Sequence, residues 1–128
     1  MAEGIHYFRL ELFVRDLAKT LGFYHEVLGL DIVARKEHAA TVSVNNSKFL
    51  LTEDSRLKAD HYFDRASLEG RRGVGVELVV EVDDVHAMYD RVQTTGYEIY
   101  EPLIEQSWGC TDFRVIDPDG YYLRITSK

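Results

Sequence analysis

The sequence predicts an α+β chain made of two βαβββ modules. Three observations predict it. Apolar residues alternate along Tyr7 to Val14 and again along Val76 to Val82, the period of a strand with two unlike faces. Each alternating run is followed by an aspartate and then by apolar residues at three- and four-residue spacing, the pattern of an amphipathic helix. Sliding the chain against itself by about 67 or 68 residues lays Asp16-Leu17 on Asp84-Val85 and Gly29 near Gly96, a period of a duplicated module rather than of a solenoid.

In module one, Phe8, Leu10, Leu12 and Val14 alternate with Arg9, Glu11 and Phe13. Asp16 is an N-cap, because its carboxylate accepts the orphan backbone N–H groups of a first helical turn. Leu17, Leu21, Tyr24, Val27 and Leu28 form the helix stripe, and Gly29 offers the left-handed C-terminal cap. Strands follow at Asp31 to Arg35, Ala40 to Val44 and Lys48 to Thr52, with Asn45-Asn46-Ser47 as a hairpin turn.

Module two repeats the order. Asp83-Asp84 supplies the cap, Val85, Met88, Tyr89 and Val92 the stripe, and Gly96 the end. Strands are expected at Glu98 to Tyr100, Asp112 to Ile116 and Tyr121 to Thr126, with Asp117-Pro118-Asp119-Gly120 as a turn. One domain over 1–128 is expected, with module one at about 5–54, a connecting segment at 55–73 and module two at about 74–127. A structureless link of that length is uncommon, and Tyr62, Phe63 and Leu68 would be wasted in solvent. The segment should hold a helical turn and fold over something, with Arg71-Arg72-Gly73 as its exposed end.

The 128 residues include 15 Lys+Arg against 22 Asp+Glu, a net charge of −7, which disfavours nucleic acid and anionic lipid as partners. The one cysteine, Cys110, excludes an internal disulfide and a cysteine-based zinc site, and fits a reducing cytoplasm. It reads as a small buried strand residue with no histidine partner. No apolar run approaches a membrane span, and the N-terminus lacks a secretory signal. Gly73-Val74-Gly75 precedes a strand, so it offers no helix N-terminus to a phosphate.

Phe23-Tyr24, Leu28-Gly29-Leu30, Asp83-Asp84-Val85, Trp108-Gly109 and Asp117-Pro118-Asp119-Gly120-Tyr121, in this order and spacing, resemble the vicinal oxygen chelate superfamily. It includes glyoxalase I, bleomycin-resistance proteins and extradiol dioxygenases. The resemblance runs from His6 to Thr126. It implies that the two modules curl into a cup-shaped mixed sheet, with helices outside and a ligand cavity inside. It also implies a homodimer, with cavities often shared between subunits. It does not imply one reaction, because fold does not decide chemistry.

Catalytic members of that superfamily hold a divalent metal in the cup. Transferred residue by residue, the ligand positions fall on Arg9, Leu50, Glu77 and Arg124. Arginine has no lone pair to offer and stays protonated, and leucine offers nothing. Neither a metal nor any other cofactor is therefore expected. The histidines do not repair the set. His25 and His86 lie on helices, His6 precedes a strand, His38 is at a strand turn and His61 is in the connecting segment, with no ligand-pair spacing among them.

Strand parity gathers Arg9, Glu11 and Phe13 on one face, with Glu77, Val79 and Glu81 and with Tyr122, Arg124 and Thr126 on the matching strands. Two readings stay open. Arg9, Glu77 and Arg124 form a structural charge network, or one arginine is left for a carboxylate or phenolate ligand. Tyr62, Phe63, Tyr100 and Trp108 fall where the cup mouth should be, although Trp108 would also pack under its own loop. The expected ligand-binding set is Arg9, Glu11, Glu77, Arg124, Tyr122, Trp108 and Tyr100. The expected function is metal-independent binding of a small molecule, an antibiotic or an aromatic metabolite, by a cytoplasmic homodimer. The alternative is an enzyme: acid–base chemistry through Glu77, Glu11 or Tyr122, or a metal-dependent lyase or dioxygenase.

Overall fold

Leu10–Val14 form strand β1, with Leu12 and Val14 buried and Glu11 exposed, so the alternation seen in the sequence becomes an inner and an outer face. The structure is a computed structural model and describes residues 3–127. Asp16 caps helix α1 (Leu17–Leu21) by accepting the Lys19 N–H at 3.1 Å. The helix continues over Gly22–Val27 as a π-helix, in which the Leu28 N–H reaches back to Phe23 O at 3.0 Å. The widened turn shifts the helix phase, so that Phe23, Tyr24 and Leu28 are all buried. A regular helical stripe would have left Phe23 off the core face.

Strands β2 (Asp31–Arg35), β3 (Ala39–Val44) and β4 (Ser47–Glu53) complete module one. A 3₁₀ turn (Asp54–Arg56) and helix α2 (Arg65–Glu69) lie in the connecting segment. Module two holds β5 (Glu77–Val82), α3 (Val85–Thr95), β6 (Glu101–Glu105), β7 (Thr111–Ile116) and β8 (Tyr122–Ser127). Asp84 caps α3 through the Ala87 N–H at 2.9 Å, and Gly96 ends it with a φ of 80°.

The two sheets have the same strand order, β1-β4-β3-β2 and β5-β8-β7-β6. In each, the first strand runs parallel to the last and the remaining pairs are antiparallel. The α+β, two-module fold is therefore the one the sequence predicts. No ladder joins the two sheets among the described residues, so β1 and β5 are each hydrogen-bonded on one side only. Among the described residues no helix is long and apolar enough to cross a membrane.

The modules join through their helical sides. Tyr24 donates its hydroxyl to Asp117 Oδ2 at 2.7 Å, and Asp119 Oδ1 accepts both the backbone N–H and the guanidinium of Arg15, at 3.0 and 3.1 Å. Arg91 on α3 donates to the carbonyls of Val27 and Glu26 at the end of the π-helix. Burial raises the Asp117 pKa above its usual range, against the three hydrogen bonds that favour its charge.

Two sequence expectations need correction. The strand expected at Glu98 to Tyr100 starts at Glu101 instead, because Tyr97 is tied down by its hydroxyl to Ile116 O at 2.6 Å before pairing begins. Arg71-Arg72-Gly73 is not simply an exposed end. Arg72 is 7% exposed, grips Asp54 with both ends of its guanidinium at 2.7 and 2.5 Å, and donates to Phe13 O at 2.8 Å.

Candidate functional site

Alternation on β5, β7 and β8 puts Leu78, Val80, Phe113, Val115, Leu123 and Ile125 toward the core. It leaves Glu77, Val79 and Glu81, Asp112 and Arg114, and Tyr122, Arg124 and Thr126 on the opposite face of the second sheet. The register sets Glu77 opposite Tyr122, Val79 opposite Arg124, and Arg114 opposite Arg124. Two guanidinium groups therefore lie side by side on neighbouring strands. Like charges so placed repel.

One carboxylate holds them. Glu77 Oε2 is 3.3 Å from Arg114 Nη1, and Glu77 Oε1 is 2.9 Å from Arg124 Nε. The second contact is a charge contact off the hydrogen-bond axis, since Arg124 Nε has no hydrogen-bond partner. Arg114 Nη1 also donates to the Tyr122 hydroxyl at 3.2 Å, and its Nε lies 3.5 Å from Asp112 Oδ1. Burial opposes the Arg114 charge, but Tyr122, Asp112 and Glu77 outweigh it and raise its pKa. Asp112 is itself buried, accepts from Gln106 Nε2 at 2.8 Å on Oδ1, and has no partner on Oδ2.

Beside this cluster lies a cavity of about 400 Å³, lined by Glu77, Tyr122, Tyr100, Ile116, Val76 and Arg71, among others. The Tyr100 and Tyr122 rings meet edge to face at 6.0 Å. Trp108 is 58% exposed in the β6–β7 turn, so packing under its own loop is not what it does.

Arg9 and Glu11 lie on the first sheet's outer side. The Arg9 guanidinium sits 5.3 Å over the Tyr7 ring and lines an open pocket with Phe8, Asn46 and Lys48. Glu11 accepts the Thr52 hydroxyl at 2.6 Å. Within one chain the structure thus brings together Glu77, Arg124, Tyr122 and Tyr100, and the second guanidinium on Glu77 is Arg114 rather than Arg9. Sequence reasoning missed Arg114 and Asp112. Their signal was available, because the alternation of Thr111 to Ile116 sets both on the face that carries Arg124.

The superfamily's sequence profile matches residues 4–125. The chain belongs to the glyoxalase/bleomycin resistance protein/dioxygenase superfamily. A lactoylglutathione lyase of Neisseria meningitidis is 28% identical over 124 residues, 90% of this chain and 85% of that protein. A bleomycin resistance protein of Staphylococcus aureus is 29% identical over 117 residues, 83% of this chain and 84% of that protein. A protein of unknown function from Agrobacterium tumefaciens superposes with a TM-score of 0.80 at 26% identity, covering 99% of this chain and 97% of that one.

The superfamily's divalent metal is tested by the donors present. At the four positions transferred from the family stand Arg9, Leu50, Glu77 and Arg124, and the lone carboxylate is shared between Arg114 and Arg124. Two fixed positive charges beside a single engaged carboxylate do not fit a divalent cation. Among the described residues no group of three or more His, Cys, Asp or Glu side chains converges as a metal site would.

The remaining histidines have local partners. His38 Nδ1 lies 2.6 Å from Glu53 Oε1, while Glu53 Oε2 caps α1 through the Leu17 N–H at 3.0 Å. The Leu17 N–H first, and His38 second, lower the Glu53 pKa. His25 Nδ1 meets Leu30 O at 2.7 Å, and His61 packs on Phe63 with ring centroids 4.8 Å apart. His6 and His86 are exposed.

Proposed function

We propose that this chain is a metal-independent small-molecule-binding member of the superfamily, acting in the cytoplasm as a homodimer whose cups are shared between copies. The observation that carries the binding reading is the Arg114–Glu77–Arg124 cluster, with Tyr122 and Tyr100 beside a cavity of about 400 Å³. Cavities with apolar walls and a few convergent polar groups are where small molecules bind. Two of its members, Glu77 and Arg124, stand at positions where the resemblance puts metal donors in catalytic relatives.

Three observations support a cup completed by a second copy. Strands β1 and β5 each have one unpaired edge, and such edges are normally covered. Phe8, Val76 and Val79, next to or on those edges, are 90%, 45% and 46% exposed. The described polar and cation–π contacts of Arg9 and Glu11 stay within module one, and those of Glu77 and Arg124 within module two. In the proposed two-fold pair, one copy's Arg9 and Glu11 face the other's Glu77, Arg124 and Tyr122. The ligand class is an antibiotic or an aromatic metabolite, in keeping with the exposed Trp108 and Tyr100 and with the bleomycin resistance relatives.

A thermal-shift screen of aromatic and glycosylated compounds tests this. A stabilising compound should lose its effect with Arg9→Ala and with Arg124→Ala. Mixing the two variants should restore about a quarter of the cups, since half the dimers are mixed and each has one intact cup. A monomer in ultracentrifugation, or no recovery on mixing, would contradict the shared cup. The lactoylglutathione lyase relatives favour a second reading, catalysis through Glu77, Glu11 or Tyr122, and turnover of a bound compound would establish it.

A further inference from the structure

The geometry points to a ligand of one chemical class: a small planar organic anion, its oxyanion on Arg114 and Arg124 and its flat body against Tyr100 and Tyr122. This rests on the binding reading above and names what is bound. Each guanidinium offers five N–H donors in a fixed fork. Among the described contacts, Arg114 hydrogen-bonds through Nη1 alone, toward Glu77 and Tyr122, with its Nε 3.5 Å from Asp112 Oδ1, and Arg124 makes only its off-axis approach to Glu77. The Nε of both arginines is buried and without a hydrogen-bond partner. Glu77 thus stands between two cations set opposite each other on neighbouring strands, and among the described contacts the terminal Nη donors other than Arg114 Nη1 have no protein partner. An acceptor-rich anion satisfies those donors and relieves the cross-strand repulsion.

Asp112 offsets charge on Arg114 through Nε but reaches neither its terminal Nη2 nor Arg124 among the described contacts. Its Oδ1 is held by Gln106 at 2.8 Å, and it lies 3.5 Å from Arg114 Nε, out of hydrogen-bond reach. The second independent feature is the neighbouring cavity, which Glu77 and Tyr122 line together with Tyr100, Ile116, Arg71 and Arg72. Its volume of about 400 Å³ admits a one- or two-ring body. The chain's net charge of −7 repels polyanions, which confines the site to anions small enough to be held by contact rather than by a long-range field.

The test uses full-length protein and isothermal titration with naphthoate, naphthalenemethanol, naphthylmethylamine and inorganic phosphate. Naphthoate should bind about tenfold or more tightly than the neutral and cationic isosteres, with affinity falling as salt rises. Arg124→Gln and Arg114→Gln should each weaken naphthoate by about tenfold while leaving the thermal unfolding transition cooperative. Arg124→Lys keeps the charge but loses the fork, and should weaken binding by less. Equal binding of the alcohol or amine would overturn the anionic assignment. Phosphate binding as tightly as naphthoate would overturn the aromatic part. Unchanged binding in both glutamine variants would overturn the site. If cationic or neutral compounds stabilise the dimer and naphthoate does not, the small-molecule reading stands and this inference falls.

Discussion

Arg114 and Arg124 stand opposite each other on β7 and β8 and share the carboxylate of Glu77, at 3.3 and 2.9 Å. The arrangement gives Glu77 a role that mutation can read. Glu77→Gln keeps the shape but removes the carboxylate between the two cations, leaving Asp112 beside Arg114 as the remaining counter-charge. The three side chains are partly exposed, so solvent screens most of the repulsion, and the loss should be only about 1 kcal/mol. Denaturant unfolding at low and high salt checks it: the loss should shrink as salt rises.

Arg72 is expected to be far less tolerant. Its guanidinium is buried between Asp54, Phe13 O and Leu68 O, and joins the connecting segment to β1. Arg72→Ala leaves Asp54 without its cation and should destabilise by about 3 kcal/mol. Arg72→Lys should recover little, since an ammonium cannot make the two parallel contacts. Urea titration of the three proteins measures this.

Gly73 and Gly75 separate crowding from backbone strain. Both have positive φ, 74° and 88°, but an added Cβ at Gly73 falls 2.5 Å from the Tyr121 ring, while Gly75 has nothing within 4 Å. Gly75→Ala should lose about 1 kcal/mol from strain alone. Gly73→Ala adds a collision with a ring whose hydroxyl is fixed to Phe13 O at 3.0 Å, and should lose about 2–4 kcal/mol. Equal effects of the two substitutions would contradict the packing described.

Two buried or capped carboxylates give opposite pH dependence. The Glu53 pKa is lowered below its ordinary 4.5, so its stabilisation is present above that value and lost as pH falls through the lower folded pKa. Glu53→Gln should lower Tm at neutral pH, and the gap should close in acid. The Asp117 pKa is raised above its ordinary 3.8 by burial, so its contribution is greatest below that value and fades as pH rises through the folded pKa. The Tm of Asp117→Asn relative to the parent should therefore rise from acid to neutral pH. Parallel shifts of both variants would contradict these assignments.

The repeating framework was legible because each of its signals is local. Asp16 and Asp84 cap through their own next turn, Gly29 and Gly96 take positive φ, and alternation separates Leu12 and Val14 from Glu11. Features set by tertiary contact were not. The π-helix that buries Phe23 answers to packing against Tyr97, 4.7 Å away between ring centroids. Strand β6 contains Pro102, a residue that argues against a strand unless the strand is an edge, and only the sheet order shows that it is one. Arg72 reads as a surface charge until Asp54 is seen beside it. For the candidate site, parity placed Glu77, Tyr122 and Arg124 together. Alternation along Thr111 to Ile116 puts Arg114 on that face as well, but its meeting Arg124 across the ladder is set by strand pairing, which is not written in either strand alone.

The most direct test of the account is a titration of chelator-treated protein with Ni, Zn, Mn and Fe(II), followed by calorimetry and thermal unfolding. Arginines flanking a shared Glu77 predict no near-stoichiometric tight binding and no rise in Tm with any ion. One tightly held ion per chain, with a raised Tm, would contradict the account and return metal-dependent chemistry to this cup.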